Sequence, residues 1–233
     1  MNERVLITGG CAGIGAAIAQ QCRQRGWETV VLDKAVGADV QADLSDAAAT
    51  EAALRQALAG GPITRLVNNV GLVHPKPLEQ QTVEEFDQVL SVNLRCALQC
   101  MQAVLPGMRQ AGFGRVVNIS SRAALGKELR TAYAASKAGL LGMTRVWALE
   151  LGAAGITVNA IGPGPIRTAL FDRANPVDSP RTQAIIAGVP VKRLGEPEDV
   201  AAAADFFLGA ASGFVTGQVL YVCGGMTVGV AAV

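Results

Sequence analysis

The chain has 233 residues, half of them hydrophobic and only 17% charged, with 27 glycines. This is a globular composition, long enough to bury a core in one domain, and it excludes an intrinsically disordered chain. Formal net charge is +1 and the charges are scattered, so neither a nucleic-acid-binding stripe nor an acidic tail is present.

Residues 5–8 form an apolar run that predicts a first strand. A Gly-rich turn follows, then a helix over 13–25 with Gly26 as its C-terminal cap. Residues 29–33 predict a second strand, a short third lies near Val40, and 46–59 read as a helix. A fourth strand is expected at 65–69, and a long helix over 82–108, interrupted or bent near Asn93. Strands at 115–120, 157–161 and 219–222 alternate with helices at 131–153 and 197–208. This alternation predicts an α/β fold: a doubly wound sheet of about seven parallel strands, with helices on both faces, in a single domain 1–233. The proline-punctuated stretch 163–190 reads as irregular, and its length suggests a functional lid over about 165–191.

The five cysteines are odd in number and scattered, so they read as reduced thiols; Cys96 and Cys100 share a helical face and read as core. No signal peptide and no apolar run of about 20 residues is found, which predicts a cytoplasmic protein without a membrane span. The single histidine, His74, rules out a multi-histidine zinc site, and no metal is expected.

The turn Thr8-Gly9-Gly10-Cys11-Ala12-Gly13-Ile14-Gly15 joins the first strand to the first helix. Glycines there allow close backbone approach to a pyrophosphate, and the helix N-terminus offers free N–H groups to it. Asp33 ends the second strand, 18 residues past Gly15. Its carboxylate can accept hydrogen bonds from an adenosine ribose and repels a 2′-phosphate, although Lys34 beside it could tolerate one. Tyr133 and Lys137 stand one helical turn apart on one face. A neighbouring ammonium favours the phenolate and draws the tyrosine toward the working range of an acid/base catalyst.

The chain resembles the short-chain dehydrogenase/reductase family from Thr8 to Gly225. The resemblance rests on an ordered set of motifs: Thr8-Gly9-x-x-x-Gly13-x-Gly15, Asn68-Asn69-Val70-Gly71, Asn93, Asn118-Ile119-Ser120-Ser121 and Tyr133-x-x-x-Lys137. Pro163-Gly164-Pro165-Ile166-x-Thr168 and Thr216-Gly217-x-x-x-x-Val222-x-Gly224-Gly225 complete it. It implies a Rossmann-like fold and a nicotinamide-dependent exchange between an alcohol and a ketone. Tyr133 would be the acid/base, Lys137 would lower its pKa and hold the nicotinamide ribose, and Asn93 would hold a water. A serine after the fifth strand would bond the substrate oxygen. Thr8, Gly9, Gly13, Ile14 and Gly15 would form the phosphate turn. Asn69 and Gly71 would line the adenosine side, and Asp43 and Leu44 would contact adenine. Pro163, Gly164, Ile166 and Thr168 would lie along the nicotinamide. A homotetramer is also implied, and the uncharged tail 226–233 suits burial against another subunit.

Three departures from the family pattern stand out. Ala124 replaces a glycine and the serine-to-tyrosine spacing is short, so Ser121 is the expected serine with Ser120 as the alternative. Only nine residues separate Asp33 from Asp43, which leaves no room for the usual helix. Cys223 stands where aspartate is usual, with an expected structural role. Ala12 in place of a basic residue, together with Asp33, favours NAD over NADP. Residues 73–75, 122–127 and 170–189 should wall the substrate pocket; Arg122 and Lys127 either meet an acidic group or are simply solvated. The expected substrate is a small secondary alcohol or ketone. Reduction of a 3-oxoacyl thioester with NADPH is the alternative activity, and non-catalytic sensing of the dinucleotide is a more remote one.

Overall fold

The computed structural model describes residues 3–229 apart from 177; the last residues of the uncharged tail, 230–233, lie outside the described residues. Seven strands make one sheet: β1 (Arg4–Thr8), β2 (Glu28–Asp33), β3 (Val40–Gln41), β4 (Arg65–Asn68), β5 (Gly114–Ile119), β6 (Ile156–Pro163) and β7 (Val219–Val222). Their order is β3-β2-β1-β4-β5-β6-β7, and every pairing is parallel. The order reverses between β1 and β4. At such a switch point the flanking loops diverge and open a crevice at the strands' carboxyl ends.

Helices α1 (Gly13–Gln24), α2 (Ala47–Leu58), α3 (Val83–Leu90), α4 (Cys96–Ala111), α5 (Thr131–Leu151) and α8 (Pro197–Leu208) cover the sheet. Alternate strand residues feed two buried layers, as the period-2 geometry of a strand requires. Leu6, Leu66 and Val116 pack with Met101 and Trp147 on one face. Ile7, Val67 and Val117 pack with Ile18 and Val200 on the other. Cys96 and Cys100 lie in the first layer with Sγ atoms 3.9 Å apart, as packing residues. All five cysteines are free.

Strand β1 begins one residue earlier than its apolar run because Arg4 pairs with Glu28, its register partner on β2, at 2.8 Å. β2 passes to β3 with no helix between them, as the short spacing requires. The expected bend near Asn93 is a π-helical turn, Ser91–Arg95, between α3 and α4. Such single turns often mark functional sites. The stretch read as irregular is corrected: it holds two short helices, α6 (Ala169–Ala174) and α7 (Pro180–Ala187). Thr168 and Ser179 cap them by accepting N–H bonds from Phe171 and Thr182, each at 3.2 Å. Such local caps stabilise helices too short to show a periodic pattern.

Candidate active site

The crevice at the switch point is built from the ends of β1 and β4. Thr8 Oγ1 accepts the main-chain N–H of Asn69 at 3.0 Å and of Val70 at 3.1 Å. Asn69 Nδ2 donates to the carbonyls of Thr8 at 3.0 Å and Gly9 at 2.9 Å. Thr8 is fully buried. These two residues, expected as cofactor contacts, therefore tie the turn to β4 and shape it from behind.

Gly9 adopts φ +67°, and a Cβ on Gly15 would sit 2.2 Å from the Gly9 carbonyl oxygen and 2.5 Å from Asn69 Nδ2. Only glycine lets α1 start so close against the turn. Ala12, at the N-cap of α1, makes no side-chain capping bond. The first N–H groups of that helix are thus left for an anion, with the positive end of the helix dipole behind them. A Cβ on Gly13 would meet Thr168 Cγ2 at 3.2 Å, so the lid begins directly over the turn. Ile14 packs half-buried on the layer beneath α1 and α8.

Asp33 reaches across to this turn. One carboxylate oxygen accepts the Cys11 N–H at 3.0 Å and the other accepts the Ala35 N–H at 3.1 Å. Asp43 is exposed, and its carboxylate accepts the Ser45 N–H at 2.9 Å, which holds it below the usual carboxylate range. Leu44 packs in the core, so its side chain does not face the crevice.

Gly71, expected to line the adenosine side, stands beside Lys137. A Cβ there would lie 3.4 Å from Lys137 Nζ and 3.8 Å from Asn93 Oδ1. It forms a bare wall beside the Tyr133–Lys137 pair, at van der Waals distance from the lysine.

Lys137 is buried, and its Nζ donates to the Ile119 carbonyl at 2.8 Å. The same ammonium lies 5.7 Å from the centroid of the Tyr133 ring. Burial pushes the lysine down to about 8. Asn93 is buried on the π-helical turn; its Nδ2 donates to Ser136 Oγ at 2.8 Å and to the Leu72 carbonyl at 3.0 Å, and its Oδ1 accepts the Leu72 N–H at 2.7 Å. It clamps the segment carrying Gly71 onto α5.

The two candidate serines have different partners. Ser120 is buried and its hydroxyl donates to the Lys137 carbonyl at 2.7 Å. Ser121 Oγ accepts the Ala123 N–H at 3.1 Å, and its hydroxyl lies close enough to the Tyr133 phenol to act on its titration. Burial raises the phenol above its ordinary range, while the Ser121 hydroxyl and the Arg130 charge pull the other way. Lys137 is the partner expected to lower the tyrosine; Ser121 and Arg130, absent from that expectation, act in that direction here. Arg130, just ahead of α5, is legible only once the loop before the helix is folded back.

On the lid side, Gly164 N–H bonds the Val222 carbonyl at 2.9 Å, and a Cβ there would lie 2.7 Å from Cys223 Cα. Cys223 Sγ rests 3.3 Å from Thr227 Oγ1. Pro163 and Ile166 are buried and carry the chain from β6 toward Thr168. His74 bonds Gln88 through Nε2 at 2.9 Å, as a loop residue.

A phenol placed to pass a proton, beside a crevice shaped for a pyrophosphate, defines a dinucleotide-dependent oxidoreductase. Residues 9–227 match the family model described as enoyl-(acyl carrier protein) reductase. A hydroxy(phenyl)methylsuccinyl-CoA dehydrogenase subunit of Thauera aromatica is 39% identical, over 96% of each chain. A 3-oxoacyl-(acyl-carrier-protein) reductase of Staphylococcus epidermidis is 32% identical, over 97% of this chain and 99% of the relative. The crystal structure of a blue fluorescent protein from a metagenomic library, in complex with NADPH, superposes with a TM-score of 0.87 at 34% identity, over 97% of this chain and 98% of that one. The chain belongs to the short-chain dehydrogenase/reductase family. It is an NAD(P)-dependent oxidoreductase that acts on an alcohol/ketone pair.

Proposed function

We propose that the enzyme interconverts a small secondary alcohol and its ketone, with Tyr133 as the group that exchanges a proton with the substrate oxygen. The observation that carries this is the buried Lys137 ammonium 5.7 Å from the Tyr133 ring, one helical turn along α5, with Ser120 fastened to the Lys137 carbonyl and Ser121 next in the chain. Ser121 donates to the substrate oxygen and steadies charge developing there. Lys137 holds the nicotinamide ribose, and Asn93 orders a water on the lysine's path to solvent. Gly9, Gly13, Ile14 and Gly15 hold the pyrophosphate, and Pro163, Gly164, Ile166 and Thr168 line the nicotinamide end. The nicotinamide, when bound, supplies or takes up the hydride.

NAD is the preferred dinucleotide in this reading. Asp33 puts a carboxylate at the end of β2, beside the turn, where a 2′-phosphate would be repelled. Asp43 and Leu44 contact adenine chiefly through main chain. The chain is one domain, works in the cytoplasm, and assembles as a homotetramer. Leu149 on α5 is 87% exposed and Phe214 is 104% exposed, and such apolar side chains favour burial against further subunits. Among the described residues, no helix is long and apolar enough to cross a membrane.

The test is Tyr133→Phe. Dinucleotide binding is expected to persist with turnover reduced to background; persisting turnover would remove the assignment. Reduction of a 3-oxoacyl thioester is the second reading, favoured by the relatives named for CoA and acyl-carrier thioesters.

A further inference from the structure

Next to Tyr133 lies a cleft of about 570 Å³, lined by Arg122, Lys127, Arg130 and Arg181 with the single carboxylate of Glu128. Three of these cations come from the loop that leads into α5, and Arg181 comes from α7 of the lid. The chain as a whole is almost neutral, with 20 basic and 19 acidic residues. Four cations against one carboxylate in one cleft is therefore a strong local departure.

Among the described residues, none of the four forms an ion pair, and the seven ion pairs found there lie elsewhere. Their charges act on one another. Partial burial pushes the Lys127 ammonium down, and Arg130, Arg122 and Arg181 push it further. Arg130 also feels Arg181 on one side and Tyr133 on the other. Arg130 lines the cleft and stands three residues ahead of Tyr133 at the start of α5, so the cleft adjoins the phenol.

The backbone is bent to bring this about. Leu129 adopts φ +61°, in the left-handed region that side chains avoid, and Gly126 adopts φ +109°. The Leu129 carbonyl is held by the Lys76 N–H at 3.2 Å, which fastens the folded-back loop to the segment before α3. Like charges gathered on a strained, anchored loop repel one another until an anion joins them.

We propose that this cleft binds an anionic group of the substrate, a carboxylate or a phosphate, and so places the reacting carbon at Tyr133. The inference deepens the proposed function and rests on its placement of the reaction at Tyr133. A carboxylate would belong to the substrate skeleton, whereas a phosphate would belong to a carrier such as CoA.

The test measures affinity for the enzyme–NADH complex by nicotinamide fluorescence, so no turnover is required. One arm compares oxo-acids of increasing chain length with their methyl esters. The other compares acetoacetyl-CoA with the N-acetylcysteamine thioester of the same acyl group, which lacks phosphates. At least one anionic probe is expected to bind about ten-fold more tightly than its neutral partner. That advantage should shrink at high salt and fall to about one-fold in the folded double variant Arg122→Gln/Arg181→Gln. Preference in the first arm identifies a carboxylate, and preference in the second a phosphate. Equal affinities in both arms, or an advantage that survives the double variant, overturn the proposal. A wrong assignment of Tyr133 shows separately, as turnover that persists in Tyr133→Phe.

Discussion

Ser120 donates its hydroxyl to the main-chain carbonyl of Lys137 at 2.7 Å. This bond fastens the end of β5 to the middle of α5 and leaves the neighbouring Ser121 to face the tyrosine. Ser121→Ala should therefore lower kcat/KM by about 10²- to 10³-fold, the usual effect of removing one donor from a developing oxyanion. Ser120→Ala should mainly cost stability, about 1 kcal/mol for a lost buried hydrogen bond. The pH profile adds a second readout. Burial raises the Tyr133 phenol and Ser121 opposes the rise, so losing Ser121 must raise it further. In the oxidation direction, where the phenolate accepts the proton, the rising limb should move to higher pH in Ser121→Ala and stay in place in Ser120→Ala. The opposite pattern would return the role to Ser120.

Asn93 satisfies both main-chain polar groups of Leu72 and also bonds Ser136. Asn93→Ala removes the partner of both half-buried Leu72 groups, while Ser136 keeps its bond to the Tyr133 carbonyl. A loss of about 1–2 kcal/mol in denaturant unfolding is expected, since half-buried groups that lose a partner recover only part of it from water. Gly71 follows the same segment and sits against the lysine, so kcat should fall as well. A variant as stable as the parent would show that this clamp carries little energy.

Asp33 ends β2 and accepts the Cys11 N–H of the turn. Replacing it with serine removes the charge that repels a 2′-phosphate. In Asp33→Ser, the ratio of kcat/KM for NAD to that for NADP should fall by about ten-fold or more, equivalent to roughly 1.4 kcal/mol. Dinucleotide titrations with both cofactors check this. A parent enzyme that already prefers NADP would refute the assigned preference before any variant is made.

The order of strands and helices was legible because buried parallel strands read as continuous apolar runs, and β7 and α8 keep their expected bounds. The phosphate turn was legible for a similar reason: its glycines are demanded by contacts as close as the one Gly15 makes with Gly9. Other features depend on tertiary geometry. Ser120 and Ser121 are chemically alike, and only the register that bonds Ser120 N–H to the Ile161 carbonyl at 2.7 Å turns one inward. The tasks of Thr8 and Asn69 as staples, and the place of Gly71 beside Lys137, arise where loops from different strands meet. The helix α7 did leave a local signal, Ser179 followed by Pro180 at its first turn, a pairing that starts helices.

Lys137 places activity and stability in opposition. Its amine is buried and titrates at about 8, against an ordinary lysine value near 10.5, with burial as the cause. The unfolded chain therefore holds the proton more tightly than the folded one between those values. Because the unfolded state binds more protons there, stability rises as pH climbs from about 8 toward 10.5, and below about 8 the folded protein bears the full penalty of a buried cation. That penalty is about 3 kcal/mol at neutral pH, from 1.36 kcal/mol per pKa unit. Lys137→Met removes the charge and keeps much of the side chain's volume. It should unfold at a higher temperature than the parent at pH 7, lose that advantage progressively above pH 8, and have no measurable turnover. Thermal unfolding of both proteins across this range, without cofactor, is the measurement. If the variant is no more stable than the parent at pH 7, the Ile119 carbonyl and its surroundings solvate the ammonium well enough to offset its burial.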